Sequence, residues 1–243
     1  MRYVVGYTPS DRGADAVALA SALARAQGAH LDLVYVVDRR TPYVAMNPEG
    51  SRVSAAEQKV LSAEREGLAL VPKDLEARFH VRQADSHAAG LIEAAVEYKA
   101  GLIVVGAASA GLFKRYTIGS AANALLHASP VPVALAPRGY RHTEPITRLT
   151  LAVGQRTGAE AAIDVAVEAA ERHGVPLRLV SLVELDAEGD SGENINAAHV
   201  HANTVLTAAA HRLPAATRSR WKSPTGAPSR KRSTTSNGTT ARS

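Results

Sequence analysis

From its first residues to about residue 138, short apolar runs alternate with segments of helical period, and that alternation is the mark of a parallel sheet with crossover helices. "RYVVGYT" reads as a strand. "DRGADAVALASALARAQG" reads as a helix whose Ala16, Leu19, Ala20 and Leu23 share one face and which Gly28 ends. "HLDLVYVV" is a second strand, and a loop carrying Pro42, Pro48 and Gly50 leads to a helix over about 52–71. A strand near 77–83, a helix opening at Ser86, the strand "GLIVVG", a helix from about Gly119 and the strand "VPVALAP" complete the order βαβαβαβαβ. The expected fold class is therefore α/β, a doubly wound sheet of five parallel strands flanked by helices, filling residues 1–140.

Composition agrees with such a core. Hydrophobic residues make up 46% of the 243 and aromatics only 4%, so the layers must be packed with Ala, Val and Leu. The chain has no cysteine, which excludes disulfides, thiolate metal sites and a cysteine nucleophile and favours a reducing compartment. "MRYVVGY" lacks the apolar run of a signal peptide, and no stretch reaches the ~18 apolar residues of a membrane span. A soluble, cytoplasmic protein is expected. The net charge of +5 belongs to one end: eight basic residues and no acid follow Glu193. Removing those eight from the 28 basic residues leaves 20 against 23 acids, so residues 1–193 carry −3.

The pattern then restarts. Residues 2–38 laid on 148–184 match Arg2 to Arg148, Ala16 to Ala162, Ala20 to Ala166, Gly28 to Gly174, Leu31 to Leu177, Leu33 to Leu179, Val34 to Val180 and Val37 to Val183. A duplicated domain is the natural reading, with the partial second copy over 146–214. From 215 to 243 the chain is basic and rich in Ser and Thr, with too little apolar surface to offset ordering entropy, and disorder is expected there. So abrupt a change of composition also fits a shifted reading frame.

One loop invites ligand chemistry. "IVVGAASAGLFKRYTIGS", residues 103–120, runs from the fourth strand through small residues and two cations, Lys114 and Arg115, to Gly119-Ser120 before a helix. Ligands of open parallel sheets sit beyond the carboxyl ends of the strands, where a helix N-terminus offers free N–H groups to anions. The P-loop pattern fails because Leu112 and Phe113 occupy the positions of its Lys and Ser/Thr, and the turn "GYTPSDRG" is not the glycine-rich turn of dinucleotide folds. Beside the phosphate reading stands a plain one, in which Gly106 only lets the chain turn and Ser120 belongs to a helix cap.

Gly106-x-x-Ser109, nine residues, and Gly119-Ser120, followed by a helix and the strand that opens Pro132-Val133, resemble the universal stress protein family. Its nucleotide-binding members carry G-x2-G-x9-G-[ST] after the fourth strand. The resemblance covers residues 2–138, and the repeat resembles the family's tandem members. It implies strand order 3-2-1-4-5 and ATP at the point where that order reverses. It also implies contacts from Gly6 and Thr8 at the end of the first strand, from the backbone of Val36, and from Gly106, Ser109, Gly119 and Ser120 to phosphates. Two positions depart from the pattern. Ser109 stands for the second glycine, and Thr8 for the acid common at the end of the first strand, although Ser10 matches the family's serine. Magnesium would lack an acidic anchor at Thr8, so fast hydrolysis is not expected.

Catalysis has little else to draw on. His199 and His201 lie about 200° apart on a helix and cannot chelate one metal. His87 and His127 have no fixed partner in sequence, and Asp32, Asp38 and Glu184, read as lying at strand edges or ends, show no paired-carboxylate spacing. The expectation is a universal stress type protein that is not an enzyme, slow ATP hydrolysis aside, and that carries or senses ATP or a related nucleotide. Two other classes remain open: a nucleotide-free scaffold acting as a homodimer or on protein partners through edge pairing of the fifth strand, and nucleic-acid association through the basic tail, where Trp221 accompanies the cations.

Overall fold

The computed structural model describes residues 1–39, 55–107, 119–153, 159–181, 200, 204 and 207. The loop centred on Ser109, Lys114 and Arg115, the pair His199 and His201, Glu184 and the tail 215–243 all lie outside the described residues.

Five strands form one parallel sheet: β1 (Arg2–Gly6), β2 (His30–Asp38), β3 (Ala77–Ala84), β4 (Leu102–Gly106) and β5 (Val133–Ala136). Their order is β3-β2-β1-β4-β5, as the resemblance implied. In register, Tyr3 faces Leu31 on one side and Leu102 on the other, while Leu33 faces Phe79 and Val104 faces Ala134. The chain steps outward from β1 to β3, then returns to the far side of β1 for β4. The sheet order therefore reverses between β1 and β4, where the connections leave in opposite directions.

Both faces of the sheet are covered, as crossover connections require. On one face Tyr3, Val5, Leu31, Leu33 and Val104 pack with Ala16, Val17, Ala20 and Ala24 of α1 (Asp11–Arg25) and Ala63 of α2 (Ala55–Ala69). On the other, Val4, Val34, Val36, Ile103 and Val105 pack with Leu91, Ala94 and Ala95 of α3 (His87–Glu97) and with Ala122 and Leu125 of α4 (Ser120–Ala128). The small side chains of α1 explain how it approaches the sheet so closely. Its Ala16, Val17, Ala20 and Ala24 are all fully buried.

Beyond β5 come β6 (Leu149–Val153), α5 (Ala159–His173) and β7 (Leu177–Ser181), with β6 and β7 in a two-stranded sheet. Compact units divide the chain into Met1–Thr150 with Asp164–Pro176, and the remainder. At the spacing of 146 residues found in the sequence, buried Val17, Ala24, Leu31 and Leu33 correspond to buried Ile163, Ala170, Leu177 and Leu179. Among the described residues, no helix is long and apolar enough to cross a membrane.

Candidate site at the strand-order reversal

The cleft is built by the way α1 begins. Ser10 is its N-cap, accepting from the Gly13 N–H at 3.4 Å, and the Thr8 and Ser10 hydroxyls lie 2.9 Å apart. A Cβ on Gly13 would lie 2.0 Å from the Thr8 carbonyl oxygen, and one on Gly106 would lie 2.3 Å from that of Arg12. The first turn of α1 is thus clasped between the exit of β1 and the end of β4. Gly106 owes its lack of a side chain to this contact with α1, and a phosphate need not be invoked for it. Tyr7 leaves β1 with its N–H bonded to the Val34 carbonyl at 3.0 Å, which keeps the chain along β2 before it turns.

Between these segments lies a cleft of about 290 Å³, at the small end of the range that holds small-molecule ligands. Its floor is apolar, from Val34, Val36, Leu91 and Val105; its rim carries the hydroxyl residues Thr8 and Ser120 and the exposed residues Arg12 and His87. Of the residues expected from sequence, Gly6, Thr8, Val36, Gly106 and Ser120 line this one cleft. Gly119 directly precedes Ser120 as the N-cap of α4 and supplies no side-chain cap. That gives the cap to Gly119 and leaves Ser120 as the first helical residue. The first N–H groups of α4 have no acceptor inside the helix, and its positive dipole end adjoins the cleft.

The sequence alone does not point to Arg12 or His87 for this site. Each falls in the first turn of a helix that follows a strand, one residue after Asp11 and one after the N-cap Ser86. Position after a strand's carboxyl end was the available signal, and only the sheet order brings the two turns to one cleft. His127 is exposed in the last turn of α4. No group of three or more His, Cys, Asp or Glu suited to a metal occurs among the described residues.

A second cavity of about 360 Å³ opens at the amino end of the sheet, lined by Arg2, His30, Asp32, Glu76 and Arg78 among others. Its charged groups serve one another. Asp32 sits fully buried inside β2, which corrects its expected place at a strand edge or end. Arg2 donates from Nε to Oδ2 at 2.7 Å and from Nη2 to Oδ1 at 2.5 Å, while His80 Nε2 donates to Oδ1 at 2.9 Å. Burial pushes the Asp32 carboxyl up, but the bonds from Arg2 and His80 outweigh it and hold the group below its usual range. Arg2 also stacks over the Tyr98 ring, 4.8 Å from its centre. This end of the sheet is a structural ion cluster, and the reversal-point cleft is the better candidate site.

Comparison with known proteins identifies the family and the fold. Residues 1–137 match the family model described as "Universal stress protein family". A universal stress protein of Mycobacterium tuberculosis is 34% identical over 190 residues, covering 74% of this chain and 64% of that protein, so the chain spans less than two thirds of its relative's length. Among solved structures, a universal stress protein from Archaeoglobus fulgidus is similar with a TM-score of 0.51 and 16% identity, over 87% of this chain and 75% of that one. Another from the same organism, solved in complex with dAMP, covers 55% of this chain and 94% of its own, with 20% identity and a TM-score of 0.40.

Proposed function

This chain belongs to the universal stress protein family, and on that premise we propose that residues 1–140 form a nucleotide-binding regulatory module, with ATP as its ligand, that works in the cytoplasm without catalytic turnover. One observation carries the reading: the reversal-point cleft pairs an apolar floor with anion-directed groups at its rim. Val34, Val36, Leu91 and Val105 suit the faces of a base, and the uncapped first turn of α4, Ser120 and Arg12 suit phosphate oxygens. The residues present thus fit a nucleotide. No described lining residue is a carboxylate that could serve as general base, so carriage or sensing is favoured over hydrolysis, and any hydrolysis is slow.

Mass spectrometry of small molecules released from freshly purified protein on heating tests the reading directly, and calorimetry with ATP measures the site. Gly119→Asp places a carboxylate at the amino end of α4 and is expected to abolish ATP binding while the sheet stays intact. Unchanged affinity in that variant would mean the nucleotide sits elsewhere.

A second reading rests on the sheet edge. Among the described residues β5 pairs with β4 alone, so its outer hydrogen-bonding groups face away from that strand, and a second copy could add there to make a homodimer. A stable dimer that carries no nucleotide would favour this scaffold over the ATP module. For the organisation of the chain we favour tandem origin with a truncated second copy, because β6-α5-β7 repeats the order β1-α1-β2 and Gly174, at φ +62°, follows Gly28, at φ +57°, by the repeat spacing.

A further inference from the structure

We propose that this cleft takes its nucleotide as the metal-free anion, with the Arg12 guanidinium and an N–H donor from His87 meeting the phosphates where a magnesium ion would otherwise stand. The inference rests on the nucleotide reading above and concerns which form of the ligand binds. A protein site for magnesium commonly offers one or two carboxylates beside the substrate's phosphates. Among the described residues that line the cleft there is no Asp or Glu. Thr8, two residues past β1, shares a hydrogen bond with the Ser10 hydroxyl at 2.9 Å and brings no charge.

The acids of the neighbouring turns point their charge at other partners. Asp11 lies 3.5 Å from Arg141, Asp15 is buried against Arg141 and the Gly139 N–H, and Asp85 lies 3.7 Å from Arg39. Asp38, at the end of β2, is not among the lining residues. Every charged or dipolar feature assigned to the rim is therefore electropositive or neutral: the Arg12 guanidinium, the His87 imidazole with its N–H donor, and the amino end of α4.

Such a rim attracts the bare phosphates and repels a dication carried on them. Chelation by magnesium would cancel much of the ligand charge that Arg12 and α4 attract, and no protein carboxylate would compensate. The metal should then be neutral or unfavourable for affinity, the reverse of what a carboxylate-anchored site shows.

Calorimetry of the full chain with ATP, once in excess EDTA and once in excess magnesium, separates the cases. Binding in EDTA as tight as in magnesium, or up to about tenfold tighter, is the expected result. A requirement for magnesium would overturn this inference and leave the nucleotide reading standing. No binding in either condition would overturn both. Arg12→Gln and His87→Gln, both at exposed positions, serve as the second arm. Arg12→Gln should weaken metal-free ATP by roughly tenfold and weaken magnesium-bound ATP less, with His87→Gln acting in the same direction and an unchanged circular dichroism spectrum in each. If both variants bind metal-free ATP as the parent does, the assignment of these two residues fails.

Discussion

Asp32 has almost no contact with water, yet it is held charged by partners from the two strands that flank β2, Arg2 of β1 and His80 of β3. Removing that charge tests whether the cluster stabilises the sheet. Asp32→Asn should cost about 2 kcal/mol at neutral pH, because Arg2 then has one neutral amide oxygen in place of a bidentate carboxylate, a loss softened by its 35% exposure. The carboxyl is held below its usual value of 3.8 in the folded protein. Its contribution is therefore complete above that value and is lost as pH falls through the lower, folded one. Urea denaturation of parent and variant should show a gap that is full at pH 7 and narrows below about pH 4. Parallel curves across that range would exclude the cluster as an acid-sensitive support. The sequence placed Asp32 at a strand edge or end, whereas in β2 it is buried at the same parity as Val34 and Val36. Its partners come from 30 residues earlier and 48 residues later, and only strand register puts them in reach.

At the scale of elements, three helices among the described residues are followed by a residue in the left-handed region, and they do not use the same residue type. After α1 the turn carries Gly28 at φ +57°, with the Ala29 N–H bonded to the Ala24 carbonyl at 3.2 Å. After α5 it carries Gly174 at φ +62°, with the Val175 N–H bonded to Ala170 at 3.1 Å. After α3 the same turn carries Lys99 at φ +51°, where the Ala100 N–H reaches Ala95 at 2.9 Å. A side chain there crowds the following carbonyl. Lys99→Gly should therefore stabilise the protein by about 1 kcal/mol, read as a higher urea midpoint at unchanged slope. A lower midpoint would mean that Lys99 makes a compensating contact. Helix ends marked by glycine were legible in the sequence. The end of α3 was not marked that way, and the burial of Leu91, Ala94 and Ala95 holds the helix in place instead.

For the first compact unit, closure depends on residues past its last strand. Asp15 lies fully buried in α1, where the Gly139 N–H donates to Oδ2 at 3.1 Å and the Arg141 guanidinium donates to Oδ1. Arg25 of α1 donates to the Thr143 carbonyl and pairs with Asp74 at 2.8 Å. The segment after β5 is thereby strapped across α1, while the family match stops at residue 137. Arg141→Ala in the full chain should cost about 2 kcal/mol in urea denaturation, since it deprives a buried carboxylate of its cation, though the arginine itself is half-exposed. A loss below about 0.5 kcal/mol would reduce the strap to a surface ion pair.

What the sequence determined by itself was local and repetitive: the strand and helix alternation, the glycine that ends α1, the helix opening at Ser86, and a glycine-serine step into α4. Each of these follows from the conformational preferences of a few neighbouring residues. The tertiary structure alone decided that Arg12, His87 and Ser120 share a cleft, that Gly106 is a glycine for the sake of an α1 carbonyl, and that Asp32 and Asp15 are buried with cations. Those outcomes depend on which strands become neighbours and in what register, and that is a choice made by packing across the whole sheet.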